Sequence, residues 1–211
     1  MIAFFALALL VAAPTTYKND GAKGNSSFTA VFEAPLGERI NAISSNVVCK
    51  LVRDDAAGTA SGECEVPLPS IMVDNTPVKT EHFQQWATNK KGKVSACKFK
   101  VELPSFPVKL EANKEVAFSV KGLFTICGRG REDGTPESIE GKAVLLPAGS
   151  YGDAETIRIR AHIEKFDREA YHIGPKWTDG WLARVQGLAS VVAPVGSIDV
   201  SVFVPAAAAK K

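Results

Sequence analysis

Four cysteines and three histidines are the scarcest reactive side chains in this 211-residue chain. Cys49, Cys64, Cys97 and Cys127 lie far apart, with no CxxC and no local Cys-His spacing, so no metal ligand set is expected. If all four are oxidised, three pairings are open. Cys49 and Cys64 lie symmetrically about Ala56 and Ala57, and Cys97 and Cys127 about Ala112. That symmetry favours two bridges, each across a hairpin. Cys49 shares the parity of Val47 and Leu51, and Cys64 that of Val66 and Leu68, so the first pair agrees in face. Cys127 has the parity of Ser119 and Lys121 and turns inward only if a bulge near Gly122 shifts the register.

No catalytic constellation emerges. His162 falls on the wet parity of its strand, His172 in an irregular stretch, and His82 either bonds a ligand head group or packs under a helix. Ser70 and Ser119 have no nucleophile signature around them. Glu63 and Glu65 point together to solvent and read as a charged face, not an acid-base pair. The run Gly128 to Gly134, GRGREDG, lacks the Lys-Ser/Thr and following helix of a phosphate loop.

The elements that hold these residues are strands. The stretch Ser61 to Trp86 sets the pattern: Cys64, Val66 and Leu68 alternate with Glu63, Glu65 and Pro67, and a loop from Ile71 to Pro77 leads into a short helix where His82 and Phe83 precede Trp86 by four and three. Further strands are expected at Phe28–Ala34, Ile40–Val52 (Ile43, Val47, Cys49 and Leu51 on one face) and Ser95–Leu103, the last ended by Pro104 and Pro107. Others follow at Lys114–Cys127, Glu137–Leu146, Ile157–Glu164 and Val195–Val204, with a short strand at Ala183–Leu188 inside a long loop.

Composition fits one globular unit: 45% hydrophobic, 23% charged, formal net charge +2. Both charge signs are interspersed, which argues against a nucleic-acid partner. The apolar run over residues 1–13 is too short to span a bilayer of roughly 30 Å and reads as a secretory signal peptide, with Pro14 favouring cleavage after Ala12. Residues 14–26 are small and polar and read as a linker, and 206–211 as a disordered tail. The expected fold of residues 27–205 is all-β, an antiparallel eight-stranded barrel with one short inserted helix. Its inward positions are Val, Ile, Leu, Phe and Cys, so any ligand inside must be apolar along most of its length.

The runs VPLPSIMVDNTPVKTEHFQQW, KFKVEL, VAFSVKGLFTICGRGRED and IRIRAHIEKFDREAYHIG, in that order, resemble the YceI-like family of exported, lipocalin-like proteins over Phe28 to Pro205. The chain departs from that pattern in having Lys79 as the nearest basic residue to the helix motif, and Cys127 before Gly128. The resemblance implies that a polyisoprenoid, such as an isoprenoid quinone or lipid carrier, binds inside the barrel in the periplasm or outside the cell, with no other cofactor. The lining is then expected from Val47, Leu51, Val66, Leu68, Phe99, Val101, Phe118, Val120, Ile157, Ile159, Ile163, Ile198 and Val200, with Phe83 and Trp86 near the mouth. For each of these the competing reading is plain core. For the whole protein it is an interaction module of an envelope assembly, with a packed barrel and an exposed patch such as Trp177 and Trp181. An enzyme would need polar groups converging inside, which the alternation does not provide.

Overall fold

Inward residues two apart, repeated strand after strand, build a sheet with one dry face, and curling that face onto itself buries it. The structure, a computed structural model, describes residues 13–21, 25–88, 93–178 and 192–208. Its strands are β1 (Thr15–Lys18), β2 (Ser27–Glu33), β3 (Arg39–Ser44), β4 (Val48–Asp54), β5 (Thr59–Pro67), β6 (Met72–Val73), β7 (Lys98–Pro107), β8 (Glu115–Ile126), β9 (Arg129–Gly130), β10 (Glu137–Leu146), β11 (Thr156–Asp167) and β12 (Val195–Pro205). Among the described residues one α-helix, α1 (Pro77–Thr88), is inserted between β6 and β7. All twelve strands form one antiparallel sheet in the order β1-β4-β5-β7-β8-β10-β11-β12-β2-β3-β6, with β9 paired to β8.

The expected eight-stranded barrel is thus corrected to a curled, open sheet of twelve strands. Its ladder runs from β1 to β6 without closing, and β1 touches the far part of the sheet through a bridge from Tyr17 to Ala206. The stretch read as one strand from Ile40 to Val52 breaks at Ser45–Val47, where the Ser44 hydroxyl accepts from Asn46 N at 3.0 Å. The break changes parity: Ala42 and Ser44 are buried in β3, then Val47, Cys49, Leu51 and Arg53 around β4, so Ile43 is not on the inner face. The "linker" orders because Tyr17 is fully buried and β1 adds to the edge of β4. In the tail, Ala207 N donates to Thr16 O at 2.8 Å. The signal-peptide residues before Ala13, the short strand at Ala183–Leu188, Trp181 and residues 209–211 lie outside the described residues.

Two prolines that were expected to end β7 lie inside it. The ladder with β8 covers Phe99 to Glu102, whereas the ladder with β5 continues to Pro107 across a register shift between Ala60 and Gly62. Pro104 therefore sits at a bulge and on a side with no β8 partner, where its missing N–H leaves no gap in a ladder. Beyond that point β8 pairs with β10 from Glu115 to Gly122. A seam without backbone pairing opens between the second half of β7 and the first half of β8.

Close backbone approach fixes one glycine in particular. A Cβ on Gly196 would stand 2.2 Å from Val31 O on the neighbouring strand and 2.6 Å from a Phe32 ring carbon. Gly196→Ala is expected to lower stability by about 1–3 kcal/mol, read as a lower denaturant midpoint at unchanged slope. An unchanged midpoint would mean that β2 and β12 are not packed in this register.

Candidate functional site: an apolar cavity inside the curled sheet

Inward side chains from eight strands converge on one cavity of about 110 Å³. Phe28 comes from β2, Leu51 and Arg53 from β4, Ala60, Cys64 and Val66 from β5, and Phe99, Val101, Leu103 and Phe106 from β7. Phe118 and Phe124 come from β8, Ile139 and Ala143 from β10, Ile157, Ile159, Ala161 and Ile163 from β11, and Ile198, Val200 and Val202 from β12; Val47, Val108 and Leu110 join from the flanking loops. The wall surface is apolar. The volume is on the scale of the roughly 150 Å³ apolar cavity known to hold benzene, so it takes about one prenyl unit before the walls must move.

Of the residues expected to line a ligand site, Val47, Leu51, Val66, Phe99, Val101, Phe118, Ile157, Ile159, Ile163, Ile198 and Val200 lie on this wall. Leu68 and Val120 do not: both are buried in packed core, Leu68 in a 3-10 turn at Leu68–Ser70. Phe83 and Trp86, expected near the mouth, instead pack on the core from α1. The Phe83 ring stacks on Phe99 at 6.0 Å, and Phe99 also meets Phe28 at 6.0 Å and Phe124 at 6.4 Å. The helix end is sealed by aromatic rings. The looser end is the β7–β8 seam, filled by Phe106 against Phe118 at 5.7 Å together with Val108 and Leu110.

Phe106, Val108 and Leu110 are hidden in the sequence by Pro104 and Pro107, which read as strand stops although β7 runs on to Pro107. Phe124 is missed unless the parity of Phe118 and Val120 is extended past Gly122. That parity does persist: Gly122, Phe124 and Ile126 are all buried, and the β8 ladder has no bulge at Gly122. Arg53 continues the parity of Cys49 and Leu51, a signal that its charge obscured.

A hydrogen-bonded girdle surrounds the helix end. Tyr171, 1% exposed, donates to Glu137 at 2.7 Å, and Arg131 Nη1 pairs with the same carboxylate at 3.1 Å. Arg129 donates to the carbonyls of Ala87, Thr88 and Tyr171, placing a cation at the C-terminus of α1, where the helix dipole favours it. Arg168, also buried, donates to the carbonyls of Ile173 at 2.7 Å and Val192 at 2.8 Å. Burial lowers both guanidinium pKa values without threatening their charge.

Burial, reinforced by hydrogen bonds to Glu137 and Glu155, pushes the phenols of Tyr171 and Tyr17 well above their ordinary value near 10. The folded state therefore holds these protons more tightly than the unfolded chain. Their stabilisation is complete below pH 10 and is lost as pH rises above it. Each such group steepens the loss of stability above pH 10 by roughly 1 kcal/mol per pH unit, and Tyr171→Phe should remove one such share. Urea titrations between pH 9 and 11.5 measure it; a flat profile would contradict the buried, protonated phenols.

The remaining chemical candidates are structural. Glu63 and Glu65 pair with Lys100 at 2.8 Å and Lys98 at 2.5 Å across β5 and β7. His162 Nδ1 lies 2.8 Å from Asp199 on the outer face, and His172 lies 3.3 Å from Glu132 and stacks on Trp177. His82 is half-buried on α1, away from the cavity wall. The Ser70 hydroxyl donates to Pro67 O and shares a bond with Ser44. Trp177, expected in an exposed patch, is half-buried with Lys176 over its ring.

Both disulfides have the pairing favoured by hairpin symmetry, Cys49–Cys64 and Cys97–Cys127. Cys49 and Cys64 are direct cross-strand partners of β4 and β5. Cys127 reaches Cys97 without a bulge: β8 ends at Ile126, and Cys127 turns into the left-handed region at φ 50. Two such bridges belong to an oxidising environment.

No protein-family model matches the sequence, and no curated protein matches it. Among solved structures, the chain is similar to a polyisoprenoid binding domain from Saccharophagus degradans implicated in plant cell wall breakdown, with a TM-score of 0.61 at 12% identity, over 92% of this chain and 100% of that one. The fold implied by the YceI-like resemblance is thus present.

Proposed function

We propose that this protein is a non-enzymatic binder of an isoprenoid-type lipid, which it holds inside the curled sheet for transport or storage in the cell envelope. The observation that carries the reading is a cavity with apolar walls from eight strands, in a fold shared with a polyisoprenoid binding domain. Burial of apolar surface contributes about 25 cal/mol per Å², enough for a few prenyl units to bind without a charged anchor. The lining residues are those named on the wall, and the chain enters through the β7–β8 seam, where side chains alone close the sheet. Export by way of residues 1–13 to the periplasm or beyond fits the two disulfides.

Uptake of a fluorescent polyene or prenyl probe by the purified protein tests this. Ala161 lies on the wall, and Ala161→Phe fills the space at a stability loss of about 1–3 kcal/mol. The expected result is saturable uptake by the wild type and none by the folded variant. Equal uptake by both would place the binding elsewhere. No uptake by either would favour a packed interaction module.

A further inference from the structure

The helix that seals the closed end of the cavity is fastened differently at its two ends. At the first turn, Val73 N donates to Thr80 Oγ1 at 2.9 Å and Lys79 pairs with Asp74 at 2.8 Å, which ties α1 to the strand before it. At the last turn, the carbonyls of Ala87 and Thr88 both accept from Arg129, whose Nε also donates to Tyr171 O at 3.4 Å. Phe83, the ring stacked on Phe99 of the cavity wall, lies between these two points.

Arg129 is itself placed by a strained turn. It opens β9, which holds two residues, and Cys127 and Gly128 join β8 to β9 at φ 50 and 76. A two-residue hairpin with left-handed backbone at both positions favours Asn-Gly or Asp-Gly, and a cysteine there is strained. The bridge to Cys97 accounts for the cysteine; the turn does not. Without the bridge, a two-residue ladder and one backbone bond, from Cys127 N to Lys98 O at 3.0 Å, are left to keep Arg129 on α1.

The two bridges also differ in reach. Cys64 lies in the middle of β5, paired with Cys49 on one side and Val101 on the other, and lines the apolar cavity, while Cys49 is fully buried. A polar thiolate would have to enter the cavity to attack it. Cys127 is half-buried in a turn at the end of the sheet, next to exposed Gly128.

We propose that the Cys97–Cys127 bridge is a redox latch on α1: opened by a dithiol, it lets the last turn of the helix and Phe83 withdraw from Phe99, and the closed end of the cavity lengthens. A thiolate of the dithiol attacks Cys127 Sγ, the bond between Cys127 and Cys97 breaks, and Cys97 leaves as a thiolate that takes up a proton. The second thiolate of the reductant attacks the mixed disulfide and frees Cys127, which is protonated in turn. The bridge gains two electrons and two protons, and the dithiol becomes a cyclic disulfide. The closed cavity takes about one prenyl unit, so a longer chain needs a wall to move, and the intact latch opposes that movement. That this space takes a ligand rests on the lipid-binding reading above.

Treatment of the full chain with dithiothreitol under native conditions, followed by alkylation and peptide mass spectrometry, tests which bridge opens. Cys97–Cys127 is expected to open at least about 10-fold faster than Cys49–Cys64. In the selectively reduced protein, hydrogen exchange is expected to rise about 10-fold in the second half of α1 and in the turn at Cys127, and to stay unchanged in β11. Diphenylhexatriene, a rigid apolar probe larger than the closed cavity, is expected to bind about 10-fold more tightly to the reduced form, and reoxidation reverses both effects. Arg129→Gln is expected to show the fast helix exchange with the bridge intact, which separates the latch from the general effect of a disulfide on stability. Opening of both bridges together, a rise in exchange across the whole sheet, or unchanged exchange in α1 overturns the latch. Equal probe binding in both redox states overturns the lengthening of the cavity and leaves lipid binding standing. Faster exchange confined to α1 and the turn, with no probe bound in either state, supports the latch and overturns lipid binding.

Discussion

Replacing all four cysteines with serine is expected to leave the chain unfolded or close to it at physiological temperature. In the loop-closure account, a bridge spanning 15 residues stabilises by about 3 kcal/mol and one spanning 30 by about 3.6 kcal/mol. Together they approach 6–7 kcal/mol, against a typical total of about 5–15 kcal/mol for a domain. The two bridges also do different things. Cys49–Cys64 clamps β4 to β5 under the cavity wall, whereas Cys97–Cys127 joins the start of β7 to the turn after β8, beside the carbonyls of α1 that Arg129 binds. Urea denaturation of the oxidised protein, each paired-serine variant and the four-serine variant measures the effects. A four-serine variant with the wild-type midpoint would mean that the strand packing alone holds the fold.

Phe99→Ala carries the second large effect, an expected loss of about 3–5 kcal/mol. Phe99 is 4% exposed and contacts three other aromatic rings, so its removal takes away both burial and ring-on-ring contact. It also forms part of the cavity wall, and the space it vacates adjoins the cavity. The variant is therefore expected to be less stable yet to accept a bulkier apolar probe than the wild type, with the probe recovering part of the lost stability by binding only the folded state. Thermal melts with and without probe measure both effects. A loss below about 1 kcal/mol, or no change in probe size, would remove Phe99 from the centre of the account.

The parts of this fold legible in sequence are those where one side of a strand is dry and the other wet. Ile157, Ile159, Ala161 and Ile163 alternate with charged or polar neighbours and all reach the cavity wall. A bulge after Ile163 then brings Phe166 inward, which parity alone would place outside. Parity failed wherever backbone geometry intervened: at Ser45–Val47, where a side-chain bond to Asn46 N turns the chain, and at Cys127, where a positive φ replaces the expected bulge. It also failed where an element is too short or too polar to carry a pattern. β1 holds its place through the burial of Tyr17 and pairing to β4 and not through its composition. The cavity as a whole was legible because its walls are the dry face. Arg53 was not, because a charge at an inward parity position reads as a break in the pattern.

The central claim is that this cavity holds an isoprenoid chain, and mass spectrometry of organic extracts tests it most directly. The protein would be purified from a membrane-containing host beside a mock purification from cells lacking it. The account predicts a prenyl lipid near one equivalent per chain in the protein sample, absent from the mock and lost in Ala161→Phe. A folded protein that carries no lipid, and takes up no added isoprenoid, would contradict it.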